Sequence, residues 1–514
     1  MISIKHNITD SYGQYGLKHF LFKYGILAKI KDGGEADIEI RCGYSEGNDT
    51  GDRILVKIPP AKIQREVKGY LKMGGETLPL FETPRELKVA GKAMATFHSE
   101  GVSYPCITLN NNCLLIGFDL FGEIGRILGG DLESIFDRQA ICAFVHSKSP
   151  SGHLNAMVDK QDRESKMLMK IPVVDVLEEL LFQSLRPICQ EKGVELKAKP
   201  FWPDGKKFAL CLSHDVDRAY KTYQYLPLIL RYLKRGDLSA VAKQIKKGVD
   251  LPSAARQIKS MLFERGKNNP YWTFDKIMNL ENELGVKSTF YFINETDKLN
   301  PFSLTSRMLF GGWNKYKIDS LDIVEIIRKL HSEGFEIGVH GSYYSYNNES
   351  LLRNEKARLE EILGDSVHGI RQHYLNFDPE NTFKMQESVG FEYDTTLGFR
   401  EGIGFRRGTC FPYHPFDFSS NGELPILEIP LLIMDGAIPG DKAILEQCIE
   451  IMDIVERSNG VLTLLWHQDR FSELDSPGWT ELYKKLVIEA INRNAWITTP
   501  HELYRWLVHE RESA

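Results

Sequence analysis

The chain has no C-x-x-C pair, no run of about 18 apolar residues and no surplus of basic charge, and each absence removes a class of function. Its eight cysteines (Cys42, Cys106, Cys113, Cys142, Cys189, Cys211, Cys410, Cys448) are scattered among mostly apolar neighbours. That is the usage of reduced core residues rather than of a disulfide framework or a zinc finger. A net charge of -6 offers no field for nucleic acid or anionic lipid, so no nucleic-acid partner is expected. The first residues, Met1-Ile2-Ser3-Ile4-Lys5-His6, lack the basic stretch and apolar core of a secretory signal. With no transmembrane segment either, the expected compartment is the cytoplasm.

What is present is an ordinary globular composition, 42% hydrophobic and 26% charged, in 514 residues. That length exceeds what one hydrophobic core usually serves, so two domains are expected. Residues 1–195 read as a smaller α/β domain, with short apolar runs at Ala36 to Ile40, Ile54 to Ile58 and Cys113 to Phe118 and a helical stretch from Val173 to Lys192. Asp119, just before a helical pattern, reads as a helix cap rather than an active-site carboxylate. A linker with Pro200, Trp202, Pro203, Asp204 and Gly205 leads into a second unit, residues 205–510. There strand patterns (Lys287 to Phe292, Glu336 to His340, Gly369 to His373, Glu428 to Met434, Val461 to Trp466, Ala495 to Thr498) alternate with helical ones (Phe274 to Leu284, Ser320 to Ser332, Leu351 to Leu363). Alternation of this kind predicts a parallel sheet, open or closed, and its strand count suits a barrel. A Lys- and Arg-rich helical insertion is expected around 220–265.

Four polar clusters each end an apolar run: Ser213-His214-Asp215-Val216-Asp217, His340-Gly341-Ser342, Arg371-Gln372-His373-Tyr374, and Trp466-His467. Side chains at the C-terminal ends of parallel strands form the mouth of a barrel, so these groups are expected to converge. One carboxylate and an imidazole such as His340 suit a divalent metal of the Zn, Fe or Co type. A second carboxylate kept off the metal suits a general base, His467 a general acid, and Arg371 a bidentate partner that orients the base. Each motif also has a plainer reading. Asp-x-Asp recurs in loops and caps, and a histidine after a strand is often only hydrogen-bonded structure. The joint pattern is what argues for a site, because buried charges are costly unless paired.

Across approximately residues 205–505 the ordered clusters resemble the polysaccharide deacetylase family, carbohydrate esterase family 4. The segments Asn269-Pro270-Tyr271-Trp272-Thr273-Phe274-Asp275, Lys287-Ser288-Thr289-Phe290-Tyr291-Phe292, Tyr393-Asp394-Thr395-Thr396 and Gly404-Phe405-Arg406 are similar to a subgroup with an extra N-terminal domain. The resemblance implies a distorted (β/α) barrel that hydrolyses an N- or O-acetyl group on a saccharide with a divalent metal, Zn with Fe or Co as alternatives. Carried over by position, it implies Asp215 as base, Asp217 and His340 as metal ligands, Arg371 as the holder of Asp215 and His467 as acid. Asp435 is the partner that would fix His467, with Asp394 its competitor. A backbone N–H near Tyr374 would meet the oxyanion.

The chain also departs from that pattern. Tyr344 stands where the second metal histidine is expected, four residues after His340. His373, in place of the usual proline, can supply the missing ligand from a neighbouring strand, and His214 is a lesser substitute because it should point the other way. Ser342, Tyr374 and Trp466 are candidate substrate contacts, and Trp313, Tyr343, Tyr346 and Trp466 can stack on sugar rings or pack the barrel. Three other functions compete with the esterase. A glycosyltransferase would hold a nucleotide diphosphate through Asp215 and Asp217, but leaves His340, Arg371 and His467 without roles. An aspartyl phosphatase lacks its Lys and acidic pair. A saccharide-binding or scaffold protein that lost its metal is kept open by Tyr344. Compartment favours a role in building a surface polysaccharide from an intracellular precursor.

Overall fold

Eight consecutive buried residues, Ala209–Val216, form an interior strand of the second of two nine-stranded sheets, as a strand covered on both faces requires. The structure, a computed structural model, describes residues 2–26, 28–30, 36–42, 54–59, 67–73, 76–87, 91–131, 168–221, 266–295, 316–438 and 443–511, with isolated positions between 233 and 242. Most of the expected insertion at 220–265, and Trp313 with it, lies outside the described residues.

Around that interior strand the sheet runs Leu427–Glu428, Tyr393–Asp394, Gly369–Gln372, Glu336–Gly341, Thr289–Ile293, Ala209–Val216, Val461–Leu465, Ile433–Met434, and Trp496–Thr498 pairs with the start of Ala209–Val216. All of these pairings are parallel. Helices Phe274–Leu284, Leu321–Ser332, Glu349–Leu363, Ile444–Arg457 and Trp479–Asn492 supply the crossovers. Their ends follow local chemistry. Asn348 Oδ1 accepts from Leu351 N at 3.1 Å to start Glu349–Leu363, and Gly364, at φ 75°, ends it in the left-handed conformation glycine favours. The fold is therefore α/β with a curled parallel sheet, as the alternation predicts.

One expected strand is corrected. The segment Glu428 to Met434 is not a single strand but two short ones at opposite edges of the sheet. Leu427–Glu428 pairs with Tyr393–Asp394, and Ile433–Met434 pairs with Leu464 and Leu465. Pro430, which has no N–H to give a ladder, lies between them. The chain itself crosses the seam, so the sheet curls without closing by strand pairing.

The first sheet is mixed. Ala28–Ile30, Ile2–His6, Ile38–Cys42, Ile54–Ile58 and Cys113–Ile116 are parallel neighbours, and Val102–Asn110, Lys92–Ser99, Gly69–Met73 and Glu76–Leu80 continue it as antiparallel hairpins. Ile40, Val56, Leu114, Phe121 and Leu177 belong to its core, whereas Phe290, Val339, Ile370 and Leu464 belong to the core of the second sheet. Helices Ser11–Tyr24 and Leu120–Gly129 cross closely through glycine. A Cβ on Gly125 would stand 2.0 Å from Tyr12 O, and one on Gly16 would stand 2.1 Å from Phe121 O. Asp119 caps the second of these helices by accepting from Gly122 N at 3.1 Å.

A buried ionic group ties the two cores together. Asp175, on helix Val173–Glu191, accepts from Lys23 Nζ at 2.6 Å, Cys410 N at 2.7 Å and Thr409 Oγ1 at 2.9 Å. Glu178, one turn on, lies 2.6 Å from His19 Nδ1. Burial alone would lower the Lys23 pKa, but Asp175 and Glu178 together hold it above its usual value.

Candidate active site

Period-two alternation on Ala209–Val216 sorts its polar end onto two faces. Ser213 and Asp215 face inward to Arg371, whereas His214 faces the helices: its Nδ1 is 2.6 Å from Trp466 O and its Nε2 is 2.9 Å from Glu281 Oε1. His214 is therefore part of the packing, as its position in the strand predicts. Asp217, just past the strand, turns into the mouth with its carboxylate partly exposed.

The neighbouring strands bring the other groups to the same end. Register pairs His340 with Arg371, and Ile293 with His340. His340 Nδ1 donates to Arg371 O at 2.9 Å, which fixes the tautomer and turns Nε2 inward. That Nε2 lies 3.1 Å from Asp217 Oδ1 and 3.8 Å from Asp215 Oδ2. His373 Nε2, from the next strand end, lies 3.5 Å from the same Asp217 Oδ1. One donor atom from each of Asp217, His340 and His373 lies within 4.8 Å of the others. Although His340 Nε2 is close, Asp217 Oδ1 is buried and accepts no well-aligned hydrogen bond. Two imidazole nitrogens and a carboxylate oxygen that crowd one point fit a divalent cation of the Zn class. Burial would raise the Asp217 pKa, but His373, His340 and His467 hold it well below the ordinary carboxylate range.

Arg371 is wholly buried and fully engaged. Its Nη1 donates to Asp215 Oδ1 at 2.8 Å and to Ser213 Oγ at 3.0 Å, and its Nε donates to Thr395 O at 3.0 Å. Asp215 Oδ1 is thus occupied, while Oδ2 is the oxygen nearer His340.

On the opposite edge the split strand sets the last pair. Because Met434 is in register with Leu465, Asp435 arrives beside His467. Asp435 Oδ1 lies 2.6 Å from His467 Nδ1, its Oδ2 accepts from His467 N at 3.2 Å and from Arg470 Nε at 3.0 Å, and Gly436 N donates to Oδ1 at 2.6 Å. Burial would lower the His467 pKa, yet the charge and hydrogen bond of Asp435, helped by Asp217 and Asp215, raise it to about 10. His467 Nε2 faces Asp217 Oδ2 at 3.8 Å. Asp394, the competitor, is engaged elsewhere, accepting from Gln386 Nε2 at 3.1 Å and Thr396 Oγ1 at 2.5 Å.

Two expected substrate contacts are corrected. Trp466 has no exposed surface and packs against Trp479 and Tyr483, with ring centroids 5.1 Å and 5.9 Å away. Its side chain leaves the mouth because its neighbour His467 enters it. Ser342 is buried too, and its N–H goes to Glu355 Oε2 at 3.1 Å, so it shapes the loop after His340. Tyr374 is the expected contact that faces solvent, 41% exposed, with its ring 4.3 Å from His373 and 5.8 Å from Tyr343. Tyr344, 46% exposed, adjoins Tyr343 at 5.0 Å. Thr395, Ser213, Glu355 and Arg470 support the site without having been singled out as site residues. Only Arg470, three residues beyond His467, carried a signal that a charge pattern could have caught.

No protein-family model matches the chain, and no curated protein does. Solved structures similar to it include one described as a polysaccharide deacetylase from Mycobacterium smegmatis, 16% identical, covering 60% of this chain and 93% of that one, with a TM-score of 0.38. The chitin deacetylase of Colletotrichum lindemuthianum is 13% identical over 58% of this chain and 87% of its own, with a TM-score of 0.27. A CE4 family pseudoenzyme from Bacillus anthracis is 10% identical over 59% and 66%, with a TM-score of 0.28.

Proposed function

We propose that the chain is a metal-dependent hydrolase that removes an acetyl group from an N- or O-acetylated saccharide, in the service of surface polysaccharide synthesis. One observation carries the reading: a carboxylate held by a buried arginine and an imidazole held by a buried carboxylate flank the same triad of metal-type donors. Asp217, His340 and His373 would hold the metal, Zn with Fe or Co as alternatives. When bound, it supplies Lewis acidity toward an acyl oxygen and toward water.

Asp215 acts as general base. Arg371 fixes Oδ1, so Oδ2 is the oxygen that takes a proton from the attacking water. His467 acts as general acid. Held as imidazolium by Asp435, it keeps Nδ1 bonded there and presents the Nε2 proton to the departing group. Water adds to the acyl carbon, the C–N or C–O bond breaks, and the amine or alcohol leaves with the proton from Nε2. The exposed rings of Tyr344 and Tyr374, with the half-buried ring of Tyr343 between them, offer apolar faces to sugar rings. A backbone N–H near Tyr374, whose φ of 59° marks a sharp turn at the end of the third cluster, would meet the oxyanion. We also assign residues 1–195 to an accessory domain and 205–510 to the hydrolase.

Acetate release from a panel of acetylated sugars, including nucleotide- and lipid-linked ones, tests the reading. Activity with added Zn that disappears in Asp215→Asn and on chelation supports it. Saccharide binding without acetate release would favour the second reading, a binding or scaffold protein, which the tyrosine at position 344 keeps alive.

A further inference from the structure

Far from the mouth, a second group of metal-type donors lies at the opposite pole of the curled sheet. His368 and Glu392 immediately precede the paired strands Gly369–Gln372 and Tyr393–Asp394, so register sets them side by side at the N-terminal strand ends. Glu392 N donates to His368 O at 2.8 Å, which fixes the two backbones. His501 comes from the C-terminal helix Pro500–Arg505. A capping box formed by Thr499 and Glu502 fixes the start of that helix, and His501 N donates to Glu336 Oε2 at 3.3 Å.

The side chains converge on one carboxylate. His368 Nδ1 lies 3.2 Å from Glu392 Oε1, and His501 Nε2 lies 3.0 Å from Oε2. The two imidazoles stack with centroids 3.8 Å apart and planes 8° from parallel, and one nitrogen of each faces the same carboxylate. One donor atom of each residue lies within 4.8 Å of the others. Two imidazole nitrogens and one carboxylate oxygen make an N,N,O set that Zn-class cations accept, about 2.0–2.2 Å from each atom. The side chains are 32%, 37% and 24% exposed, which leaves an edge where solvent can complete the coordination.

We propose that His368, Glu392 and His501 form a second, structural site for a divalent transition cation, Zn²⁺ or its stand-in Co²⁺, at the pole opposite the mouth. Two ligands belong to the sheet and one to the C-terminal helix, so the ion clamps that helix in place. The clamp reaches further along the chain. Arg511, a few residues on, donates to Lys23 O at 2.7 Å, Phe22 O at 3.1 Å and Pro200 O at 3.0 Å. The C-terminal segment is thus a strap between the barrel and the first helix. A cation that binds only the folded strap raises its stability by mass action.

The test is zinc stoichiometry and melting temperature of the chelator-stripped full chain after Zn²⁺ return, with Co²⁺ absorption as a second readout. It uses the wild type, Asp217→Asn/His373→Ala, His368→Ala/His501→Ala and Glu392→Gln. The expected result is a zinc equivalent that survives in the mouth variant, is lost or at least tenfold weaker in the other two, and takes with it the zinc-induced rise in melting temperature. Glu392→Gln keeps both rings and the helix contacts, so it reports even where the double alanine variant folds poorly. Zinc binding and melting shift that are unchanged by Glu392→Gln, or zinc lost only in the mouth variant, would overturn the proposal. Zinc found only at the pole opposite the mouth would support this site while removing the proposed hydrolase metal.

Discussion

Asp435 and His467 are separated by 32 residues, yet Oδ1 of one lies 2.6 Å from Nδ1 of the other. The contact exists because one segment divides between two edges of a sheet and delivers its last residue to the end of another strand. On the proposed mechanism this pair keeps His467 protonated far above its ordinary value, to about 10. In Asp435→Asn the amide cannot stabilise the imidazolium, so the alkaline limb of kcat/KM should move to lower pH, toward the ordinary histidine value of about 6.5. KM should change little. A pH–rate profile whose alkaline limb stays in place would separate His467 from the acid role.

Arg371→Met removes a buried cation from three partners. Asp215 then remains in the interior without its ion pair, and breaking such a pair typically costs about 3–5 kcal/mol. Denaturant unfolding should show a loss of that order, and acetate release should fall at least about tenfold because the base is no longer oriented. Arg371→Lys should recover part of the stability and little of the rate, since an ammonium cannot reach Asp215, Ser213 and Thr395 together.

Glu355 gives a pH dependence away from the metal-type donors. Burial raises its pKa to about 8, against the hydrogen bonds from Ser342. Its unfolded value is about 4.3, so between these values the folded state holds a proton that the unfolded state has released. Stability should therefore fall as pH rises through that window, by up to a few kcal/mol for this group. Glu355→Gln should flatten the slope between pH 5 and 8 in urea titrations; an unchanged slope would mean that the carboxyl titrates normally.

Gly125→Ala probes the crossing of helices Ser11–Tyr24 and Leu120–Gly129, away from the mouth. The added Cβ would meet Tyr12 O at 2.0 Å, a backbone atom that cannot rotate away, so the two helices must part. Overpacking of this kind costs about 1–3 kcal/mol. The melting temperature should drop while kcat and KM for acetate release stay as in the wild type.

The sequence alone carried the periodic elements furthest. Helix Phe274–Leu284 was legible to the residue, and the strands that carry Asp215, His340 and Arg371 near their ends lay within a residue or two of their apolar runs. Burial on both faces leaves little choice of residue there, which is why the pattern is strong. Trp466 was less legible. An aromatic at a strand end suits either a sugar platform or a core, and only the packing of Trp479 and Tyr483 against it decided for the core.

What the chain determined by itself was therefore the alternation of elements and the identity of the polar groups at the strand ends, because both follow from local periodicity. Tertiary structure decided which of those groups meet. It placed His373 rather than Tyr344 beside Asp217 and His340, matched Asp435 and not Asp394 to His467, and stacked His368 on His501 across 132 residues of intervening chain. Strand register and the crossing of the seam are long-range choices, fixed by the packing of whole elements, and no window of the sequence contains them.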